Sequence, residues 1–427
     1  MAILPFDAII FDLDGTLTES EPGITKSVQY ALTKLGYPEQ PLSVLKKFIG
    51  PPLFESFSNV IGMDDDTARL GIDLYRERFS TIGWQENSVY KGIYHLLRSL
   101  RANGAYIGIA TSKPTLFCEK ILRHFGLFHF FDKVVAANPN TEHSDKPYLV
   151  KEALPANYRR ACMVGDRKYD IEGALANHIE GVGVLYGYGD QQELLAAGAA
   201  HIAPTVSDLA ALLLGECAPA QGLFITLEGS DGCGKTTQLK GLCDDLEARG
   251  HDLLITREPG GGTISEKIRD LVLDKDTPEM TDHAEALLFA AARAQHVKDV
   301  ISPARTAGKT VVCDRYIDSS IAYQGAGRDL GIEWIKAINA PGIKNCMPDL
   351  TIFFDLNPDT AMARRAQSGE QDRIEQSSTN FVQKTYDCYR ELAKSAPERI
   401  KTFDALGTPD EVSARLRELI SSLLAAE

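Results

Sequence analysis

Asp12 and Asp14 stand two residues apart in FDLDGTLT, directly after the apolar run of DAIIFD. Side chains i and i+2 of a strand project on one face, so both carboxylates would meet at the carboxyl end of a strand, where open parallel sheets bind ligands. Alone, such a pair is most simply an acidic turn. Further on, ACMVGD ends in Asp166, and Asp170 follows four residues later on the same face of a helix that begins there. Carboxylates converging at one edge repel unless a hard cation sits among them, and oxygen ligands of this kind suit Mg²⁺. YIGIAT ends in Thr111, a hydroxyl donor for a phosphoryl oxygen, and Lys146 precedes Pro147 at a helix start, where it can counter the charge of a nucleophile. The chemistry implied is the binding of a phosphoryl group beside a cation held by carboxylates.

A second constellation follows the run LFITLEG. Gly229, Ser230, Asp231, Gly232, Cys233, Gly234, Lys235 and Thr236 form a complete G-x-x-x-x-G-K-[ST] string, and Thr237 opens the helical stretch behind it. Between a strand and a helix, these glycines let backbone N–H groups wrap a phosphate, Lys235 reaches the β/γ oxygens, and Thr236 ligates Mg²⁺. That loop specifies a nucleoside triphosphate such as ATP and says nothing of the acceptor.

Elements that could position these groups recur with one rhythm, a short β-rich run and then an amphipathic stretch of helical length, the mark of parallel α/β sheets. The runs are DAIIFD (7–12), YIGIAT (106–111), KVVAAN (133–138), ACMVGD (161–166) and GVGVLYG (181–187), then LFITLEG (223–229), DLLITRE (252–258), TVVCDR (310–315), LTIFFDL (350–356) and RIKTFDA (399–405). Each is nearly continuously apolar, which predicts strands covered on both faces. Residues 18–90 carry helical patterning and read as a small cap inserted between the first two strands. A small-residue, Pro- and Gly-containing segment at 216–221 reads as a linker. The expected organisation is therefore α/β in two domains, 1–215 (core 1–17 and 91–215, cap 18–90) and 222–427.

The chain's 427 residues suffice for two or three domains, and with 44% hydrophobic and 24% charged residues it has none of the bias of disorder. Its net charge of -14, shared by both halves, disfavours nucleic acid and anionic membranes as partners. Eight cysteines without a C-x-x-C pair read as thiols in a reducing cytoplasm, and no run approaches a membrane span.

The D-x-D-x-T, T, K and G-D-x-x-x-D order of the first half resembles the haloacid dehalogenase superfamily. With its cap and the segment MVGDRKYDIEGALANHIEGVGVLYGYG, it resembles the phosphoglycolate phosphatase and 5′-nucleotidase branch. The resemblance, covering residues 5 to about 214, implies a Rossmann-like parallel sheet in which Asp12 forms an aspartyl-phosphate and Asp14 acts as acid and then base. Thr111 and Lys146 hold the phosphoryl group, Asp12, Asp166 and the carbonyl of Asp14 bind Mg²⁺, and Asp170 supports the metal. The loop 46–57 would face the substrate, with Lys47 either a contact or a solvated surface residue.

In the second half, TREPGG (256–261), EKIR (266–269), LLFAAARAQHV (287–297) and CDRYIDSSIAYQG (313–325) together resemble thymidylate kinase of the bacterial type, over about 222 to 427. This implies a phosphate-loop sheet with helices on both faces, an acceptor site for dTMP, and a homodimer. Arg269 and Arg315 would hold the acceptor phosphate, Phe289 would stack on thymine, and Arg293, Ser320 and Gln324 would bond its edge. Asp231 would take the 3′-hydroxyl and Tyr323 would crowd a 2′-hydroxyl, with Arg257 and Ser319 also lining the site. In the lid MARRAQSGEQDRIEQ, Ala366 and Ser368 stand where many members carry arginines, so Arg373 is the first candidate to stabilise the transferring phosphoryl and Arg364 the second. The leading reading is a phosphatase fused to a dTMP kinase, against a kinase whose front half is a ligand-binding regulatory module.

Overall fold

The computed structural model describes residues 2–138, 145–366, 373 and 379–424. It divides into two compact units, Met1–Ala220 with Glu247–His251 and Ser421–Glu427, and Gln221–Leu246 with Asp252–Ile420.

In the first unit, β1 (Ala8–Phe11) is followed by a two-residue strand β2 (Thr18–Glu19), the helical segment, and β3 (Ser88–Val89), which pairs antiparallel with β2. Then come β4 (Tyr106–Pro114), β5 (Lys133–Ala137), β6 (Ala161–Gly165), β7 (Glu180–Val184) and β8 (His201–Ala203). Six of these form a sheet in the order β5-β4-β1-β6-β7-β8, every pair parallel. The chain proceeds to one side of β1 and then returns to the other. The crevice at the carboxyl ends of β1 and β6 is therefore the switch point at which such sheets hold ligands. Ile10 on β1 packs with Ala110, Met163 and Val150 in the core beneath that edge.

The second unit repeats the plan with β9 (Phe224–Glu228), β10 (Leu253–Arg257), β11 (Thr310–Asp314), β12 (Leu350–Asp355) and β13 (Ile400–Asp404), in the parallel order β10-β11-β9-β12-β13. Its core gathers Phe224, Phe353, Tyr316, Ile321 and Tyr389, with Phe353 and Tyr389 stacked at 5.3 Å.

Two expectations from the pattern need correction. Uniform apolarity predicted strands covered on both faces, but β5 and β10 lie at sheet edges and are partly exposed along their length. A β-branched run satisfies one covered face and the ladder, and cannot report how many neighbours flank it. The three-residue β8 was missed because HIA is too short to show a period.

Truncation of a central side chain gauges this packing. Phe353→Ala should lower the stability of the second unit by about 3–5 kcal/mol, the usual cost of deleting a buried phenyl ring. The check is the denaturant midpoint of that unit's unfolding, and an unchanged midpoint would contradict the packing described.

Candidate active sites

At the edge of the first sheet, Asp12 is the first residue beyond β1 and Asp166 the first beyond β6. Asp170 sits on the first turn of the helix Lys168–Ala176 and accepts a hydrogen bond from the Arg167 amide at 3.0 Å. Gly165 makes this approach possible, since a Cβ there would lie 2.1 Å from Asp170 Cγ. One oxygen from each of Asp12, Asp166 and Asp170 falls within 4.8 Å of the others, and all three residues are buried.

Lys146, at the start of the helix Lys146–Ala153, reaches into this group and contacts Asp12 at 2.8 Å and Asp170 at 2.7 Å. Burial, reinforced by Asp170 and Asp14, raises the Asp12 carboxyl to about 6 despite Lys146. Burial and the charges of Asp170 and Asp12 push Asp166 well above the carboxylate range. A single ammonium among three buried carboxyls leaves the group electron-rich, and an all-oxygen donor set of this size fits a hard divalent cation such as Mg²⁺.

Asp14 lies beside the three and is engaged by Lys113, whose ammonium donates to both carboxylate oxygens at 2.9 and 2.7 Å. Lys113 was not anticipated from the sequence, although its place two residues past Thr111 puts it on the same strand face. Thr111 is buried at the same edge and accepts from the Lys113 amide. A cavity of about 430 Å³ opens over these groups, lined on its far side by cap residues 48–54, 72, 75, 76 and 79. Lys47 is not among its lining residues, and its neighbour Lys46 pairs with Glu21 on the surface.

In the second unit β9 passes through Gly229 into the loop that ends at the helix Lys235–Ala248. Gly232 has φ +84°, and a Cβ there would meet the Ala361 carbonyl, so only glycine fits this turn. The Lys235 ammonium lies against the loop, 2.8 Å from the Gly229 carbonyl. Asp231, Gly232, Cys233, Gly234, Lys235, Thr236 and Thr237 line one cavity with Arg315, Arg364 and Arg365. Asp314, the last residue of β11, lines it too, and its Oδ1 is buried without a hydrogen-bond partner among the described residues. The signal for Asp314 was available in the string TVVCDR, an acid at the carboxyl end of a strand.

Next to this cavity is a pocket lined by Asp231, Arg269, Phe289, Arg293, Arg315, Ser319, Ser320, Tyr323 and Gln324, all expected there from the sequence, and by Glu258, which was not expected. Phe289 and Arg293 share a face of the helix Asp282–His296, while Ser320, Tyr323 and Gln324 come from the helical segment 317–327. Arg315 adopts φ +70°, an uncommon conformation for a side-chain-bearing residue. Its guanidinium pairs with Asp231 at 2.5 Å and contacts the Tyr323 hydroxyl at 3.1 Å; that hydroxyl donates to the other oxygen of Asp231 at 2.9 Å. Burial opposes ionisation of Asp231, but Arg315 and Lys235 prevail and hold it near 2.

Several expected ligand contacts are partly spent inside the protein. Arg293 donates to Glu258 at 2.7 Å, to Asn339 at 2.5 Å and to the Tyr316 carbonyl at 3.1 Å. Two of a guanidinium's five N–H groups therefore remain. The Gln324 amide nitrogen donates to buried Glu285 at 2.9 Å, which leaves its carbonyl oxygen for a ligand. Ser320 Oγ is buried and has no partner among the described residues. Arg257 lies outside the pocket lining, pairing with Glu266 at 3.0 Å. Arg373 pairs with Glu285 at 2.7 Å and is not among the residues lining the phosphate-loop cavity, whereas Arg364 and Arg365 are. Ser368 and most of the lid lie outside the described residues.

Comparison with known proteins separates the halves in the same way. A family model described as thymidylate kinase matches residues 227–416, and one described as haloacid dehalogenase-like hydrolase matches 9–184. A thymidylate kinase of Oceanobacillus iheyensis is 46% identical over 205 residues, 91% of that protein and 48% of this chain. One of Exiguobacterium sibiricum is 50% identical over 184 residues, 87% of that protein and 43% of this chain. Among solved structures, a predicted phosphatase from Clostridium acetobutylicum is 43% identical, with all of that chain and 50% of this one covered at a TM-score of 0.47.

Beneath the phosphate loop, fully buried Glu228 accepts from the Tyr316 amide at 2.8 Å, the Ser319 hydroxyl at 2.6 Å and the Tyr389 hydroxyl at 2.9 Å. Burial, with Asp318 adding to it, raises its carboxyl to about 7. A carboxyl raised on folding binds more protons folded than unfolded, so its contribution to stability is full below the unfolded value of about 4.3 and declines as pH climbs through 7. Glu228→Gln turns an amide nitrogen toward these donors and should cost about 1–3 kcal/mol. The stability gap between wild type and variant should narrow from pH 5 to pH 8 in denaturant titrations of the second unit. A gap that widens would reverse the assigned direction.

Proposed function

Through residues 227–416 this chain belongs to the thymidylate kinases and through residues 9–184 it carries a haloacid dehalogenase-like hydrolase domain, and on that premise we propose a bifunctional enzyme of nucleotide metabolism. Residues 222–427 transfer the γ-phosphoryl of ATP to dTMP, giving dTDP. Residues 1–215 hydrolyse a phosphate monoester. The enzyme acts in the cytoplasm on free small molecules, as a homodimer through its kinase half.

The kinase reading is carried by the adjacency of the phosphate loop to a pocket of Arg269, Arg315, Phe289 and Ser320. The attacking atom is an oxygen of the acceptor phosphate, which is already anionic, so the site has to supply cations and alignment rather than a base. Lys235 and the amides of residues 229–236 hold the donor phosphates, and Arg269 and Arg315 hold the acceptor phosphate. Phe289 stacks on thymine, while Ser320 Oγ, the Gln324 carbonyl and the remaining N–H groups of Arg293 meet its edge. Asp231 takes the 3′-hydroxyl and Tyr323 excludes a 2′-hydroxyl. Thr236 and Asp314 would hold Mg²⁺ at the donor phosphates. Of the lid arginines, Arg364 is favoured over Arg373 because it lines the phosphate-loop cavity.

The phosphatase reading is carried by the Asp12, Asp166 and Asp170 cluster with Asp14 and Lys146 beside it. Asp12 attacks phosphorus while the ester P–O bond breaks and Asp14 gives its proton to the leaving oxygen. Asp14 then takes a proton from a water that attacks the same phosphorus, which restores Asp12 and frees inorganic phosphate. Thr111 and Lys146 hold the phosphoryl oxygens. Mg²⁺, held by Asp12, Asp166, Asp170 and the Asp14 carbonyl, would neutralise charge between the carboxylates and the phosphoryl group. Lys113 positions Asp14.

Two variants test the division of labour. Asp12→Asn should lose on the order of 10⁴-fold in phosphate release from a monoester and keep dTDP formation within about twofold, since only the nucleophile is lost. Lys235→Ala should lose about 10²–10³-fold in dTDP formation and keep phosphate release. Both assays are run on the full chain, and a folded variant losing both activities together would rule out two independent sites.

Acceptor choice tests the kinase reading. The wild type should prefer dTMP over dCMP and UMP, because a wrong base leaves buried polar groups unpaired at about 1–3 kcal/mol each. A preference for dCMP or UMP in initial-rate assays would remove the thymidylate assignment.

A further inference from the structure

The phosphatase cavity carries information about the alcohol its substrate releases. Phe79 lies 5.1 Å below the Lys113 ammonium that engages Asp14, the group that would protonate the leaving oxygen. Tyr75 stacks on Phe79 at 5.2 Å and 13°, and Phe117 meets the same ring edge-on at 5.0 Å. The cap loop adds Phe48, Pro51, Leu53 and Phe54 to the lining of the same cavity. An aromatic and aliphatic slot thus begins where the ester oxygen must sit, inside a cavity whose 430 Å³ is in the usual range for a small-molecule site.

The inward cations around the slot are already paired. Among the described lining residues four are cationic. Lys113 is held by Asp14, Lys146 by Asp12 and Asp170, and Arg167 by Glu193 at 3.0 Å. Arg167 also donates to the Ile49 carbonyl at 2.8 Å, tying the cap loop over the core. Arg76 stands at the rim, its side chain 55% exposed. A carboxylate on the leaving alcohol would enter an apolar slot beside four aspartates whose neighbouring lysines are already paired, which is costly.

Resting on the phosphatase reading above, we propose that this site selects monoesters whose alcohol carries an uncharged aromatic ring, seated against the cavity wall that Tyr75, Phe79 and Phe54 contribute to, and rejects small carboxylate-bearing esters. Tyr75 and Phe54 are the specificity-determining residues, acting on the departing alcohol through stacking and apolar contact.

Benzyl phosphate and 2-phosphoglycolate isolate this feature, because both release a primary alcohol and differ in what it carries. The full chain, with Mg²⁺ and without ATP, should hydrolyse benzyl phosphate with a kcat/KM at least about tenfold above that for 2-phosphoglycolate. Tyr75→Ala and the milder Phe54→Leu should each lower the ratio of kcat/KM for benzyl over methyl phosphate, mainly through KM, while Tyr75→Phe retains it. Equal or better use of 2-phosphoglycolate by the wild type, or ratios unmoved in both variants, overturns the proposal and leaves the phosphatase reading intact. Failure to release phosphate from any of the three esters or from p-nitrophenyl phosphate overturns the phosphatase reading, and this proposal with it.

Discussion

A strand with parallel neighbours on both sides has its backbone fully paired and both faces covered, so ionisable side chains are admitted chiefly past its last residue. β1 and β9 hold this position in their sheets. All four residues of β1 are buried, and Asp12 follows at once. The other strands of the first sheet place Thr111 and Asp166 at the same edge, and those of the second place Asp314 beside the phosphate loop. Glu228 is the fully buried case, the last residue of β9, and it persists because Tyr316, Ser319 and Tyr389 all donate to it. Both sites thus depend on where the sheet stops excluding charge.

From that common edge the two units balance charge in opposite directions. In the first, Asp12, Asp166 and Asp170 outnumber the single ammonium of Lys146, a donor set that fits a further hard cation. In the second, Arg269, Arg293 and Arg315 line the acceptor pocket against Asp231 and Glu258, and the phosphate loop adds Lys235. Such a pocket receives anions.

Residues that serve the sites indirectly are the ones the sequence concealed. Lys113 appears as one lysine among many in TSKP, until the fold puts it on Asp14, 99 residues away in the chain. Glu258 sits inside the quoted string TREPGG, but its role as the anchor of Arg293 and His296 depends on a helix that begins 24 residues later. Arg257, one position earlier, points the reading the other way. It stands in the same quoted string and was expected to line the site, yet its partner is Glu266 and it lies outside the pocket lining.

The sequence by itself determined the two sheet families, the phosphate loop, and the carboxylates and threonine at the strand ends, because each is a contiguous string whose geometry follows from strand and helix periods. It also nominated most of the residues that line the pocket beside the phosphate loop, through short strings in a recognisable order. Only the tertiary structure decided which of those groups have hydrogen bonds left to offer. Arg293 is largely consumed by Glu258 and Asn339, one N–H of Gln324 is taken by Glu285, Arg373 is held by the same Glu285, and Ser320 Oγ has no partner among the described residues. Availability is a property of the neighbours across the fold, and a donor's capacity is finite, so residue type and spacing can nominate a ligand contact while only packing shows whether it is already spent.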